Sequence, residues 1–221
     1  MSEPIESFLP FVLPRVTLCP EPLALQAIKL SVIEFCRRTN IVRRVQSHNI
    51  VAATQDYTPT AVTDMLVCKV LDAWVEGRKL ELADQVDDPT ALVGADIGSA
   101  TLATGSPTHL FFKTPVQLTT GVAKVSLYPV PDTAVTSGLT LRLSMQPDVT
   151  CATVEDVLFD EFNEVIASGA LARITAVPNQ PYTSNSSSAH RAMFLAACHE
   201  AKWQALVGHG QGSLRVQPRR F

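Results

Sequence analysis

Five carboxylates crowd into ten residues: Glu155, Asp156, Asp160, Glu161 and Glu164. Paired carboxyls do general acid–base chemistry when their surroundings push their proton affinities apart. No lysine or arginine stands between Thr153 and Ala172, so this is an unbroken acidic face. Such a face fits a solvated helix surface better than a catalytic pair, helped at its start by the helix dipole. Its functional readings are contact with a basic partner, or a wall past which DNA slides without sticking. The basic counterpart is Arg37, Arg38, Arg43 and Arg44. A nucleic-acid site would join such a cluster to aromatic residues or a recognition helix. In a chain of net charge −3, a salt-bridging partner surface is at least as good a reading.

The other reactive residues form no constellation. His48, His109, His190, His199 and His209 never stand at i, i+4 from one another, and Cys198-His199-Glu200-Ala201-Lys202 lacks the second histidine of a zinc-protease helix. Gly208-His209-Gly210-Gln211-Gly212 follows a helical stretch and lacks the Lys-Ser/Thr of a phosphate loop. The expectation is a protein without enzyme activity, cofactor or metal. Cys19, Cys36, Cys68, Cys151 and Cys198 are far apart with no Cys-x-x-Cys pair, so buried reduced thiols are expected rather than a disulfide frame.

The C-terminal stretch has a sharper character. After Glu200 there is no acid, while Lys202, Arg215, Arg219 and Arg220 remain. Leu214, Arg215, Val216, Gln217, Pro218, Arg219, Arg220 and Phe221 read as an extended cationic arm, because Pro218 disfavours helix in the residue before it. Phe221 would be an apolar anchor and the arginines would grip carboxylates bidentately, which suits strand addition or groove insertion into another chain.

These residues need elements to hold them. Pro22 suits a first helical position, and a helix over 22–39 follows, with Leu23, Ala27, Leu30 and Ile33 on one stripe and Ile28, Val32, Phe35 and Cys36 widening it. The middle reads as β: strands flank a turn at Val75-Glu76-Gly77, another strand region covers 105–120, and residues 123–148 read as a hairpin. In its second strand Leu139, Leu141, Leu143 and Met145 alternate with Thr140, Arg142 and Ser144, which predicts one buried and one wet face. Residues 83–107 carry little pattern and read as a long loop. Thr153 with Asp156 resembles a capping box opening a helix over 154–174, in which Gly169 would permit close helix contact. A serine near 187 caps a last helix that Gly208 ends. The fold class is α+β: a helical body from the first and the two last helices, a middle antiparallel β region and an extended C-terminal arm. The organisation expected is one domain over 1–212, with a β-rich insertion at 63–148 and a helical hairpin at 153–208, then the arm at 213–221.

Composition agrees with a globular chain, 46% hydrophobic and 18% charged. A chain this long buries roughly 70% of its unfolded surface without needing metals or disulfides. Glu3, Glu6, Pro10 and Pro14 interrupt the N-terminal apolar run, so neither a signal peptide nor a membrane span is expected.

Several segments in a fixed order carry a resemblance. They are Val125-Ser126-Leu127-Tyr128-Pro129-Val130-Pro131-Asp132, a strand closing on residues 141–148, the acidic helix ending Gly169-Ala170-Leu171-Ala172-Arg173, the loop 178–185, the helix 189–205 and the basic end 213–221. This order resembles the head-to-tail connector, or adaptor, proteins of tailed bacteriophages. The resemblance spans most of the chain. It implies a structural virion protein at the head–tail junction, assembled in the host cytoplasm. It would form a ring, commonly of twelve copies, under the portal protein, dock a tail or nozzle protein, and extend the channel through which genomic DNA passes without specific binding. The arm 213–221 would then be the portal-binding element, and the acids 155–164 a candidate channel or partner face. A non-enzymatic nucleic-acid-binding module using the cluster 37–44 is the alternative.

Overall fold

A computed structural model describes residues 2–83, 103–113 and 123–207. Strand β1 (Ser2–Pro4) leads through a 3-10 turn (Ile5–Phe8), α1 (Leu9–Val12) and a second 3-10 turn (Leu13–Arg15) into α2 (Glu21–Thr39). Ten strands follow: β2 (Arg43–Ile50), β3 (Asp56–Tyr57), β4 (Met65–Val75), β5 (Arg78–Lys79), β6 (Glu81–Ala83), β7 (Thr104–Gly105), β8 (His109–Lys113), β9 (Lys124–Tyr128), β10 (Val130–Pro131) and β11 (Val135–Pro147). Then come β12 (Thr153–Glu155), α3 (Asp156–Asp160), α4 (Asn163–Thr175) and α5 (Ser187–Val207). The class is α+β. The chain divides into a helical unit, Met1–Ile41 with Thr153–Phe221, and a strand-rich unit, Val42–Ala152. The inserted unit thus begins well before residue 63, because Arg43–Ile50 forms a strand that the sequence pattern does not announce.

In the helical unit, α2, α4 and α5 pack against one another. Pro22 occupies the first turn of α2, and Asn40, in the left-handed region at φ 52°, closes it by donating its N–H to the Cys36 carbonyl. Gly169 is the point of closest approach: a Cβ there would lie 2.7 Å from the Phe194 ring and 3.1 Å from Ser31 Cβ. The small buried hydroxyls along these contacts bond within their own helices, Ser31 to the Ala27 carbonyl and Thr175 to that of Leu171, so close packing strands no polar group. Phe35 lies between Phe162 and Phe194, with ring centroids 4.9 and 6.4 Å away. The N-terminal segment docks through Phe8, edge-on to Phe159 at 5.2 Å.

Two expectations fail here. Residues 154–174 are not one helix: Thr153–Glu155 pairs as a strand with Ser2–Pro4, and α3 and α4 are separated at Glu161-Phe162. Thr153 therefore caps nothing, and Glu155 precedes the helix in extended conformation with no side-chain cap bond. The N-terminal strand offers the backbone of 153–155 a ladder, which competes with helix initiation at that point.

The strand-rich unit holds two four-stranded sheets, ordered β2-β11-β4-β5 and β3-β9-β8-β6. The first is antiparallel throughout; in the second, β6 and β8 run parallel. The 76–77 turn appears as expected, with both Glu76 and Gly77 at positive φ joining β4 to β5, as a two-residue hairpin turn demands. The hairpin expected over 123–148 does not form. β9 pairs with β3 and β8, while β11 pairs with β2 and β4, so its two strands belong to different sheets. Pro129 and Pro131 lack the N–H donors a continuing ladder needs, and β10 between them and the next strand pairs with β7 instead. The alternation in β11 holds only in its first half. Leu139, Leu141, Leu143 and Met145 are buried as expected, but Ser144 and Gln146 are buried too, beyond the register shifts against β4. Of the loop expected at 83–107, Ala83 and Thr104–Gly105 are strand residues, and 84–102 lie outside the described residues.

Candidate functional site

The arm residues Leu214, Arg215, Val216, Gln217, Pro218, Arg219, Arg220 and Phe221 lie outside the described residues, as does the helix stop at Gly208. The charged groups that the structure does place fall into three sets.

The acidic set spans three local structures. Glu155 ends β12, Asp156 and Asp160 begin and end α3, Glu161 lies in the turn, and Glu164 is in the first turn of α4. Asp160, Glu161 and Glu164 are exposed, whereas Glu155 and Asp156 are half-buried. The expected single-helix stripe is therefore a shorter acidic knuckle around the break between two helices. Glu164 at the start of α4 complements that helix's dipole.

The basic set is shared between the two units. Arg37 and Arg38 close α2 in the helical unit, and Arg43 and Arg44 open β2 in the strand-rich unit. Arg38 Nε bonds Glu34 Oε1 at 2.7 Å. Arg44 stands opposite Leu143 and Arg43 opposite Ser144, so these two neighbours point to opposite faces of the sheet.

Two clusters emerge that sequence spacing could not reveal. In the first, Glu34 on α2 takes Arg38 of its own helix, Arg173 of α4 (Nη2 to Oε2, 2.6 Å) and Arg191 of α5, which bonds bidentately at 2.8 and 2.6 Å. The hydrogen bonds from Arg191 and then Arg38 outweigh burial and hold the Glu34 carboxyl down at about 2. Arg191 also stacks over the Phe194 ring at 5.6 Å. Only the i, i+4 pair Glu34–Arg38 was visible as a local signal. A cavity of about 370 Å³ opens beside Arg173 and Arg191 against Ser187 and Ser188. Nearby, burial pushes the Cys198 thiol up to about 11, so it is an unreactive packed group.

The second cluster is on the strand-rich unit. Residues directly opposite in the ladder share a face. Arg43 and Lys69 flank Ser144, Val45 and Asp72 flank Arg142, and Ser47 and Trp74 flank Thr140, with Lys79 beside Trp74. Among the described residues, one face of the sheet thus carries Arg43, Lys69, Lys79 and Arg142 with one acid, Asp72. Lys79 Nζ lies 2.5 Å from Asp72 Oδ1 and Arg142 Nη1 lies 3.5 Å from Oδ2. Burial and then the nearby Arg142 charge lower the proton affinity of Arg43, with Asp72 opposing. The sequence hinted at this face through Arg142 alternating with leucines, but the strands bringing the other cations are far apart in the chain.

One hydroxyl–imidazole–carboxylate line also exists. Thr108 Oγ1 lies 2.8 Å from His109 Nδ1, and His109 Nε2 lies 3.5 Å from Glu81 Oε2. His109 is 40% and Glu81 78% exposed, so water competes for both contacts. Among the described residues no group of three metal-ligating side chains comes together, and no helix is long and apolar enough to cross a membrane. No protein-family model matches the chain, and no curated protein matches it.

Proposed function

We propose that the protein is a structural connector of a tailed-bacteriophage virion: a ring subunit between portal and tail that extends the DNA channel and is anchored to the portal by residues 213–221. The observation that carries this reading is the ordered set of segments from Val125 to Phe221. Its centre, Gly169-Ala170-Leu171-Ala172-Arg173, is the stretch of α4 that packs against Phe194 of α5 and Ser31 of α2. A helical unit locked by Gly169 and by Glu34 suits a rigid mount from which a basic arm engages its partner. Many weak arms in one ring give high avidity.

Light scattering tests the reading. The full chain and a chain ending at Gly212 are each mixed with the portal protein of the same virion. A ring-sized complex with the full chain alone supports both the connector and the anchoring arm. Absence of a complex with either chain would remove the connector reading. Arg219→Glu combined with Arg220→Glu should weaken portal binding while leaving the circular dichroism of the helices unchanged.

A further inference from the structure

Two exposed surfaces on the chain carry opposite charge. Among the described residues, the outward face of the β2-β11-β4-β5 sheet bears four cations and one acid, in a protein whose total charge is −3. Lys69 is exposed, Lys79 is 62% and Arg142 39% exposed, and between them lie Val45, 67% exposed, and the half-buried Trp74. Arg43 and Arg142 lie within reach of each other's charge, and Lys79 and Arg142 share the one carboxylate of Asp72. Such crowding of like charge is relieved by an anionic partner. The knuckle Asp160, Glu161 and Glu164 is exposed, and no base stands between Thr153 and Ala172 to answer it.

We propose that the cationic sheet face of one copy docks on the acidic α3–α4 knuckle of a second copy, giving a head-to-tail contact between subunits. The inference rests on the ring reading above and names the surfaces that would build the ring. Two different surfaces of one chain that complement each other make a heterologous contact, which closes into a ring when the rotation allows. Val45 on the edge strand β2 and Trp74 on β4 supply apolar area, and the charges set register and orientation. A nucleic-acid backbone would also suit four cations. The second copy is favoured because the matching anionic surface is on the same chain.

A charge swap tests it on the full chain, by light scattering and sedimentation at low and high salt. Wild type should associate at low salt and dissociate as salt rises. Lys69→Glu with Lys79→Glu should weaken association about tenfold or more, as should Glu161→Lys with Glu164→Lys. Mixing the two variants should restore it, since each then offers the other one native and one reversed contact in alternation. Lys79→Gln, which adds no charge beside Asp72, should weaken it less, and circular dichroism checks the fold of every variant. Association indifferent to both reversals, no rescue on mixing, or a wild type monomeric at low salt overturns the proposal. Loss of oligonucleotide binding in Lys69→Glu/Lys79→Glu without change in self-association overturns it in favour of a nucleic-acid face. A chain that binds the portal yet fails these tests keeps the connector reading and loses only this contact.

Discussion

The Glu34 cluster and the Asp72 cluster contain the same parts and behave oppositely. Each sets one carboxylate among at least three cations. Glu34 receives short bonds from three arginines on three helices, its side chain 16% exposed. Asp72, 20% exposed, has one close lysine and one arginine at 3.5 Å, across an open sheet. The difference is geometric: three helices meeting at one point bring three guanidiniums within 2.8 Å of one carboxylate, while the sheet sets Arg142 at 3.5 Å from Asp72. Charge in the first cluster is consumed by the fold. In the second, the ammonium groups of Lys69 and Lys79 stay exposed to solvent.

The strongest test of that contrast is Glu34→Gln. It leaves three guanidiniums facing one another without their counter-charge, and with those arginines 35–47% exposed the cost is about 2–3 kcal/mol, below that of a fully buried pair. Every described helix belongs to the helical unit, while Trp74 belongs to the strand-rich one. Denaturant titration followed by far-ultraviolet circular dichroism therefore reports the first unit, and Trp74 fluorescence in a Trp203→Phe background reports the second. The dichroism midpoint should fall steeply and the Trp74 midpoint should hold. Equal shifts in both would mean that the two units unfold as one cooperative block, so that the cluster stabilises more than the helices that hold it.

Acid should reproduce part of that loss. The Glu34 carboxyl is depressed from 4.5 to about 2 in the folded protein. Its contribution is complete above about pH 4.5 and disappears as pH falls through about 2; with the arginines partly in water, screening leaves a change on the order of 1–2 kcal/mol. The wild type should lose helical-unit stability across that window more steeply than Glu34→Gln, whose profile lacks this titration. Parallel profiles would show that other carboxylates govern acid unfolding.

How much of this was legible in the chain follows from the range of each signal. The α2 helix was readable because its pattern, its Pro22 start and its cationic last turn are local. The Gly169 contact was readable in kind, since a glycine in a helical pattern needs a reason. The pairing of Ser2–Pro4 with Thr153–Glu155 was not, because a ladder between residues some 150 apart leaves no mark in either stretch. β9 and β11 looked like a hairpin because adjacent strands usually pair, and two prolines redirected the chain into another sheet. Both charge clusters were hidden for the same reason: Arg173 and Arg191 reach Glu34, and Lys79 and Arg142 reach Asp72, only through the tertiary fold.

Gly169→Ala sharpens the comparison without touching a charge. Alanine favours helix over glycine by about 1 kcal/mol, but the new methyl would sit 2.7 Å from the fully buried Phe194 ring. Overpacking of about 1–3 kcal/mol should prevail. The dichroism midpoint should fall, and Phe194→Leu in the same chain should recover part of the loss. A stabilised Gly169→Ala would show that α5 yields easily, and that the Glu34 bridge rather than the packing fixes the three helices.

Asp72→Asn should have the smallest effect on stability and the most telling sign. An ion pair this open is worth about 1 kcal/mol or less, so the Trp74 midpoint should barely move. Removing the Asp72 carboxylate makes the face more positive, so the same substitution should strengthen salt-sensitive association with an acidic surface. The two clusters would then differ in the sign of the response as well as in size: removal of Glu34 weakens the fold that contains it, and removal of Asp72 strengthens what the fold can bind. A loss from Asp72→Asn comparable to that from Glu34→Gln would mean that the sheet cations are also engaged in holding the fold, and the division between consumed and available charge would fall.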